Sequence, residues 1–325
     1  MQKPSLEAIR NSLGMTLQKP SFQAIRNSLG MTLQKPYLHS IRSFATIGKI
    51  TPKRIAVNIK APRWSNYGRS PKDTLLVPVL FAFGSIIFIF WIFEKARIAR
   101  LEQAALRPRS QIAGQFVSDR DKAVYLIIGI NLLVFGLWKV RSLRLAAFMQ
   151  KHFLHDARIG AARPYTMLTS SFSHIEGWHL FFNMLALNSF GAMAVQVLGS
   201  NERFLATYLS CGIFSSLVSY VYSIMFQSVS AMRPSLGASG AILGLIGLVS
   251  WCHPNLPITI NFIPMTMQTL AGIIVAVDVF GLIRGWTFVG HVAHLGGMAA
   301  GVLYAAVGSR FLNSTKKREY RLIGK

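Results

Sequence analysis

The chain has 325 residues, of which 52% are hydrophobic and only 14% are charged, and its 35 Lys and Arg far outnumber its 11 Asp and Glu. Soluble domains carry about 25% charged residues, so this composition argues against a soluble globular protein. A net charge of +24 can indicate a nucleic-acid partner, but long uncharged runs favour a membrane protein instead. Cys211 and Cys252 lie in separate apolar stretches and predict neither a disulfide framework nor a CxxC pair.

Residues 1–44 form a basic leader in which Gln-Lys-Pro recurs every 16 residues, three times. The leader is rich in Lys, Arg and Ser, and its single acid is Glu7. This composition is typical of mitochondrial transit peptides, and the sequence from Arg42 to Ala45 resembles a matrix-processing site around Phe44. We therefore predict import and cleavage, with a disordered basic tail as the alternative.

Seven apolar runs of 16 to 23 residues follow, and runs of about 17–25 residues span the membrane as helices. A charged stretch of 29 residues separates the first run from the second, whereas the last five are closely spaced. The sequence predicts an all-α membrane bundle of six helices with one extra N-terminal helix, a 1+6 layout. The runs are Thr74–Phe93, Ala123–Trp138, Trp178–Leu198, Phe204–Phe226, Leu236–Cys252, Phe262–Ile283 and Thr287–Val307.

The intervening segment Lys139–Gly177 is mixed in character, and we expect an interfacial or re-entrant element there. Basic residues flank the first run equally, so positive-inside counting gives no orientation. The predicted organisation is a transit peptide (1–44), a basic segment (45–73), an extra transmembrane helix (74–93), a connecting loop (94–122), a catalytic core (123–310) and a basic tail (311–325).

Few polar residues lie inside the apolar runs, and such residues are usually functional because they are costly in a membrane. Ser239 stands between Gly237-Ala238 and Gly240. These small neighbours let a peptide backbone approach the hydroxyl group. Ser and Gly also serve as packing residues in membrane helices, so this motif alone does not establish a nucleophile.

The sequence offers one base for that serine. His294 is followed at i+3 by Gly297 and at i+7 by Gly301, which share its helix face. Gly240 begins a similar stripe beside Ser239, and glycine-lined helices pack closely. Close packing would bring the imidazole to the hydroxyl, and a serine needs an adjacent base to act as a nucleophile.

Two further polar residues have the spacing of one helix face. His179 and Asn183 are i and i+4, and both can donate hydrogen bonds. Fixed donors stabilise the oxyanion of acyl transfer, so we predict that they form the oxyanion site. The alternative is that they hold neighbouring helices together.

Other protease chemistries fit less well. Aspartyl proteolysis needs two carboxylates, and the runs contain only Asp278. A zinc site of the H-E-x-x-H type needs two histidines at i and i+4, but His174 and His179 are five residues apart, about 140° around a helix. We therefore predict no metal and no cofactor.

The motifs His179-x-x-x-Asn183, Gly237-Ala238-Ser239-Gly240 and Ala293-His294-Leu295-Gly296-Gly297-x-x-x-Gly301, in this order, resemble those of the rhomboid intramembrane serine proteases. The 1+6 layout and the leader are similar to the mitochondrial, presenilin-associated rhomboid-like branch. The similarity covers roughly residues 120–310.

The resemblance implies an intramembrane serine endopeptidase with a Ser239–His294 dyad and no carboxylate. It also implies an oxyanion site of the Ser239 N–H, His179 and Asn183. The implied location is the mitochondrial inner membrane. The implied partners are the lipid bilayer and transmembrane substrates, among them a dynamin-like GTPase and other presequence-bearing proteins, with no nucleic acid. An inactive rhomboid-like scaffold or a small transporter is the alternative.

The remaining polar residues receive structural interpretations. Leu243 stands where bacterial relatives have a Tyr that supports the histidine, and Gly290 stands where mitochondrial relatives often have Asp. We interpret Asp278 as a structural hydrogen-bond partner, His291 as a water-facing or hydrogen-bonded residue, and His174 as facing the aqueous mouth.

Overall fold

The structure is a computed structural model that describes residues 71–105, 121–157, 160–226, 234–286 and 289–324. The predicted transit peptide 1–44 and nearly all of the basic segment 45–73 lie outside these residues. The described residues belong to one unit, Arg69–Lys325. Its elements in chain order are α1 (Pro71–Ala105), α2 (Lys122–Lys139), α3 (Leu143–His152), α4 (Thr166–Thr169), a 3-10 turn (Ser170–Phe172), α5 (Gly177–Leu198), α6 (Asn201–Phe226), α7 (Ser239–Cys252), β1 (Pro257–Ile260), β2 (Ile263–Thr266), α8 (Met267–Ile283) and α9 (His291–Gly324).

Each predicted apolar run contains one long helix. Five of these helices are long and apolar enough to cross a membrane, namely α1, α2, α5, α6 and the first part of α9. Helices α7 and α8 are apolar but shorter, with 14 and 17 residues. The predicted helical membrane bundle is confirmed at this level, and the 1+6 count of spans stays a prediction.

Two helices extend beyond the predicted boundaries. Helix α1 does not end at Phe93 but continues to Ala105, and α9 continues through the predicted tail to Gly324. The charged end of α1 is stabilised by ion pairs, since Arg97 Nε donates to Glu94 Oε2 at 2.9 Å and Arg100 donates to Glu202 of α6 at 2.9 Å. A helix can therefore extend beyond its apolar run when its charged side chains form ion pairs.

The predicted span beginning at Phe262 is wrong at its start. Residues before Met267 form an antiparallel hairpin of β1 and β2, in which Pro257 pairs with Thr266. Asn261 and Phe262 occupy the turn with φ of 48° and 67°. An uninterrupted apolar run does not distinguish a strand from a helix, which explains the error.

The segment between α2 and α5 holds only the short helices α3 and α4 and the 3-10 turn in its described part. This agrees with the prediction that the segment is not a span. Ser142 caps α3, because its Oγ accepts a hydrogen bond from the Leu145 N–H at 3.4 Å. The segment from His155 onward packs beside the start of α7, since His155 and Ser235 exchange backbone hydrogen bonds of 3.0 and 2.8 Å.

Helix α7 is the centre of the bundle. Every residue from 240 to 249 is buried, because the helix carries no charge and packs against α5, α6 and α9. The predicted close packing of α7 and α9 is confirmed. A Cβ atom at Gly297 would overlap the carbonyl oxygen of Gly240, and one at Gly301 would overlap that of Gly244.

Candidate active site

Ser239 is the first residue of α7. The apolar run Leu236–Cys252 had predicted a position inside the span instead. The chain enters the helix through Gly237 at φ +120°, a conformation that residues with a Cβ rarely adopt. The Ile242 N–H donates to the Ala238 carbonyl oxygen at 3.0 Å and closes the first turn. The backbone N–H groups at the start of α7, before Ile242, therefore have no hydrogen-bond acceptor within the helix. An oxyanion site requires N–H groups that are free in this way.

His294 lies one turn into α9 and contacts that serine. The distance from His294 Nε2 to Ser239 Oγ is 2.8 Å. Ser215 of α6 helps to fix the start of α9, because its hydroxyl group donates to the Ala293 carbonyl oxygen at 2.7 Å. Gly240 leaves room for that hydroxyl, which a Cβ atom at this position would overlap. This contribution of Ser215 could not be predicted from the sequence, since a serine in an apolar helix carries no distinctive signal.

A carboxylate lies on the other side of the imidazole. Asp278 of α8 is 3% exposed, and its Oδ1 lies 3.2 Å from His294 Nδ1 and 2.7 Å from His291 Nδ1. The dyad that the resemblance implies includes no carboxylate, and it stays a prediction beside this contact between Asp278 and His294. The interpretations of Asp278 and His291 as hydrogen-bonded residues are confirmed. Gly281 makes room for His291, because a Cβ atom there would overlap its ring.

The predicted oxyanion residues line the same cavity as the serine and the histidine. The cavity has a volume of about 500 Å³, and Ser239, His294, His179 and Asn183 all line it. Asn183 is 7% exposed, and its Nδ2 donates to the His179 carbonyl oxygen at 2.8 Å. An amide nitrogen has two hydrogens, so the second remains for another acceptor.

His174 does not face an aqueous mouth, because its exposure is 0%. Its Nε2 accepts a hydrogen bond from the Ala238 N–H at 3.4 Å, and its ring centre lies 5.0 Å from that of His179. Burial, with the neighbouring His179 as a smaller cause, lowers the pKa of His174 to about 3. The neutral ring therefore supports the backbone that leads into α7.

Leu243 and Gly290, the two residues that differ from the family pattern, lie close to the site. Leu243 is 8% exposed and belongs to the apolar core, one turn after Ser239 on α7. Gly290 lines the cavity directly before α9. Within the described ranges, no group of three or more His, Cys, Asp or Glu side chains has an arrangement that could hold a metal ion.

Comparison with known proteins shows what this part of the chain is similar to. The family model of the rhomboid domain matches residues 161–311. The chain is 39% identical over 200 residues to the human presenilin-associated rhomboid-like protein, mitochondrial, covering 60% of this chain and 51% of the relative.

Mitochondrial relatives of lower identity are also found. The chain is 33% identical over 212 residues to rhomboid protein 1, mitochondrial, of Saccharomyces cerevisiae, which covers 65% of this chain and 60% of the relative. The chain is also 28% identical over 203 residues to RHOMBOID-like protein 12, mitochondrial, of Arabidopsis thaliana. The chain spans about half the length of the animal relatives it matches. Residues 161–311 are thus similar to a rhomboid domain, and the relatives named above are mitochondrial rhomboid-like proteins.

Proposed function

We propose that the chain is an intramembrane serine endopeptidase that cleaves membrane-anchored proteins by a Ser239–His294 pair. The observation that carries the proposal is the 2.8 Å distance between Ser239 Oγ and His294 Nε2 inside a cavity. A serine hydroxyl beside an imidazole base is the arrangement that activates this nucleophile. The rhomboid domain supports the same reaction class.

The chemistry follows from the positions of the groups. His294 Nε2 accepts the proton as Ser239 Oγ attacks the carbonyl carbon of the substrate. The carbonyl oxygen becomes an oxyanion beside the start of α7, where the Ser239 N–H and the side chains of His179 and Asn183 donate to it. His294 then gives the proton to the leaving amine. Water repeats the sequence on the acyl group and releases the second product.

The substrate must be unwound before it is cut. A transmembrane helix has its carbonyl groups hydrogen-bonded within the segment, so substrates should contain residues such as Gly or Pro that weaken a helix near the cleaved bond. We assign the protein to the mitochondrial inner membrane, in line with the mitochondrial names of its relatives. Single-pass inner-membrane proteins, dynamin-like GTPases among them, form the proposed substrate class.

Covalent labelling tests the proposal directly. The purified full chain should react with a serine-directed fluorophosphonate and should cleave a single-pass reporter substrate. Ser239→Ala and His294→Ala should each lose both activities, whereas Ser189→Ala should retain them, because Ser189 is an exposed residue elsewhere in the bundle. Cleavage that survives Ser239→Ala would overturn the proposal. A folded wild-type chain that neither reacts nor cleaves would favour the inactive scaffold.

The leader is proposed to direct import and to be removed near Phe44. The expectation rests on the basic, acid-poor composition of residues 1–44. N-terminal sequencing of the mature protein from mitochondria should find a start close to this residue. Recovery of an intact Met1 from mitochondria would contradict the assignment.

A further inference from the structure

The hairpin of β1 and β2 has two different faces. Side chains alternate along a strand, and residues that pair across the two strands share a face. One face carries only apolar side chains, which are Ile258, Ile260, Ile263 and Met265. The opposite face carries two prolines and two threonines, which are Pro257, Thr259, Pro264 and Thr266. The hairpin is therefore amphipathic.

The helical bundle covers only the base of the apolar face. Ile258, at the base, is 8% exposed and belongs to the apolar core, whereas Ile263, beside the turn, is 61% exposed. Phe262, in the turn itself, is 98% exposed. The apolar surface of the hairpin thus continues beyond the edge of the bundle, and the described residues leave its outer end uncovered.

The helices on either side hold the hairpin near the edge of the hydrocarbon region. At 1.5 Å per residue, α7 and α8 are ~21 and ~26 Å long, shorter than the ~30 Å hydrocarbon core. Residues 253–256 alone separate α7 from β1, and β2 leads directly into α8. Thr266 caps that helix, because its Oγ1 accepts a hydrogen bond from the Thr269 N–H at 3.2 Å. The hairpin therefore has no linker through which it could move away from the membrane.

We propose that the hairpin lies in the membrane interface, with Phe262 and Ile263 inserted among the lipids beside the bundle. The face that packs on the core of the bundle is the face that continues to Ile263, so it is directed towards the membrane interior. Residues 234–277 contain no Lys, Arg, Asp or Glu, so no charge opposes insertion. Amphipathic elements bind in the plane of the interface in this way. The inference goes beyond the proposed protease function and does not depend on it.

The conformation of the turn supports a lipid contact. Asn261 and Phe262 have φ of 48° and 67°, and hairpin turns with two positive φ angles usually carry Gly at the second position. A bulky residue is disfavoured there. Since the described residues do not cover the Phe262 ring, they do not compensate for this unfavourable conformation. Transfer of the ring into lipid would offset it.

A second protein chain fits this surface less well than lipid does. A strand that adds to the edge of a sheet needs backbone N–H groups as hydrogen-bond donors, and proline has none. Pro257 lies in β1 and Pro264 lies in β2, so each strand lacks a donor. Lipid acyl chains need no such donors. The bilayer is therefore the partner that the hairpin fits.

Spin labelling of the full chain in phosphatidylcholine vesicles tests the inference. Labels are attached to Phe262→Cys, Ile263→Cys and Thr259→Cys, one at a time, in a background of Cys211→Ala and Cys252→Ser. Collisions of each label with oxygen, which concentrates in lipid, are compared with collisions with a water-soluble nickel complex. The oxygen-to-nickel ratio should be several-fold higher at the first two positions than at the third. The Thr259 label is the matched control, because it lies on the polar face of the same hairpin.

The spin-label results contradict the inference in two cases. Equal ratios at Phe262, Ile263 and Thr259 would show that the whole hairpin lies in water. Exclusion of both reagents at Ile263, together with dipolar broadening between labels, would show that a second copy of the chain covers this surface.

A fluorescence measurement replaces the labels if the cysteine background does not fold. Phe262→Trp and Thr259→Trp are each compared with the wild type in vesicles that contain brominated lipid. The added fluorescence of Phe262→Trp should be quenched more strongly, and equal quenching of the two variants would overturn the inference. Because these measurements do not require cleavage, Ser239→Ala should give the same results as the wild type. Failure of the protease proposal would therefore leave them unchanged.

Discussion

Individual side chains in the cavity differ in how directly they reach the reacting atoms. Ser239 and His294 are in contact, whereas His179 and Asn183 line the cavity from α5. One hydrogen of the Asn183 amide is donated to the His179 carbonyl oxygen. This internal bond orients the amide in advance, so little reorganisation is needed when an oxyanion forms.

Removal of either donor should therefore slow the chemical step. We expect His179→Ala and Asn183→Ala each to lower kcat by about 10²–10³-fold, the usual loss for one oxyanion donor. Steady-state cleavage of the reporter substrate measures the effect. Ser189→Ala on the same helix is the control and should leave kcat unchanged. A normal kcat in both folded variants would show that His179 and Asn183 serve only to hold neighbouring helices together.

The helices position the site through backbone contact. Helices α7 and α9 carry the serine and the histidine, and both stripes of glycines lie along their interface. Carbonyl oxygens of α7 approach α9 where Gly297 and Gly301 have no side chain. The distance between Ser239 and His294 is thus set by the separation of two helix backbones.

A single methyl group in this interface should disturb both stability and activity. Gly301→Ala places a Cβ atom on the Gly244 carbonyl oxygen, and overpacking of this kind costs about 1–3 kcal/mol. We expect a lower thermal unfolding temperature and slower fluorophosphonate labelling. Gly308→Ala is the control, because a Cβ atom there meets only Tyr304 at 3.9 Å, an ordinary contact. Equal stability of the two variants would show that the interface can expand freely.

At the scale of the whole domain, the segments outside the long helices join the site to the bundle. His155 pairs with Ser235 through the backbone, and its Nδ1 lies 2.9 Å from Thr166 Oγ1. Burial lowers the pKa of His155 to about 4, with Asp156 opposing the shift. His174 supports Ala238 in the same way, as a buried neutral ring.

These two histidines should make the folded state sensitive to acid. Below pH 6.5 the unfolded chain binds a proton at each histidine, whereas folded His155 stays neutral until about pH 4. The unfolded state then binds more protons, so stability falls as the pH decreases across this window, by about 1.4 kcal/mol per pH unit for each histidine. Above pH 6.5 this contribution to the pH dependence vanishes.

Thermal unfolding in detergent between pH 7.5 and pH 4.5 measures this effect. His155→Asn keeps a polar group near Thr166 but cannot be protonated, so it should remove one histidine's share of the slope. His253→Gln, at an exposed position, should leave the slope as it is. An unchanged slope in His155→Asn would contradict the assignment.

Much of this protein could be predicted from its sequence. The apolar runs indicate where the long helices lie, because a helix satisfies its backbone hydrogen bonds within its own segment in a membrane. The motifs around Ser239 and His294 determine the chemistry they can perform, and the glycines at i+3 and i+7 from His294 predict the close contact with α7. The resemblance to rhomboids rests on these same residues.

Tertiary structure decided what local pattern does not encode. The start of α7 at Ser239 depends on the left-handed turn at Gly237 and on support from His174, 64 residues away. The sequence of the hairpin before α8 predicts a helix, because an uninterrupted apolar run has no periodicity that distinguishes a strand from a helix. Asp278 looks like an isolated carboxylate until α8 packs beside α9 and brings it to two histidines. Such contacts arise from packing between distant segments, which composition and spacing along one chain do not specify.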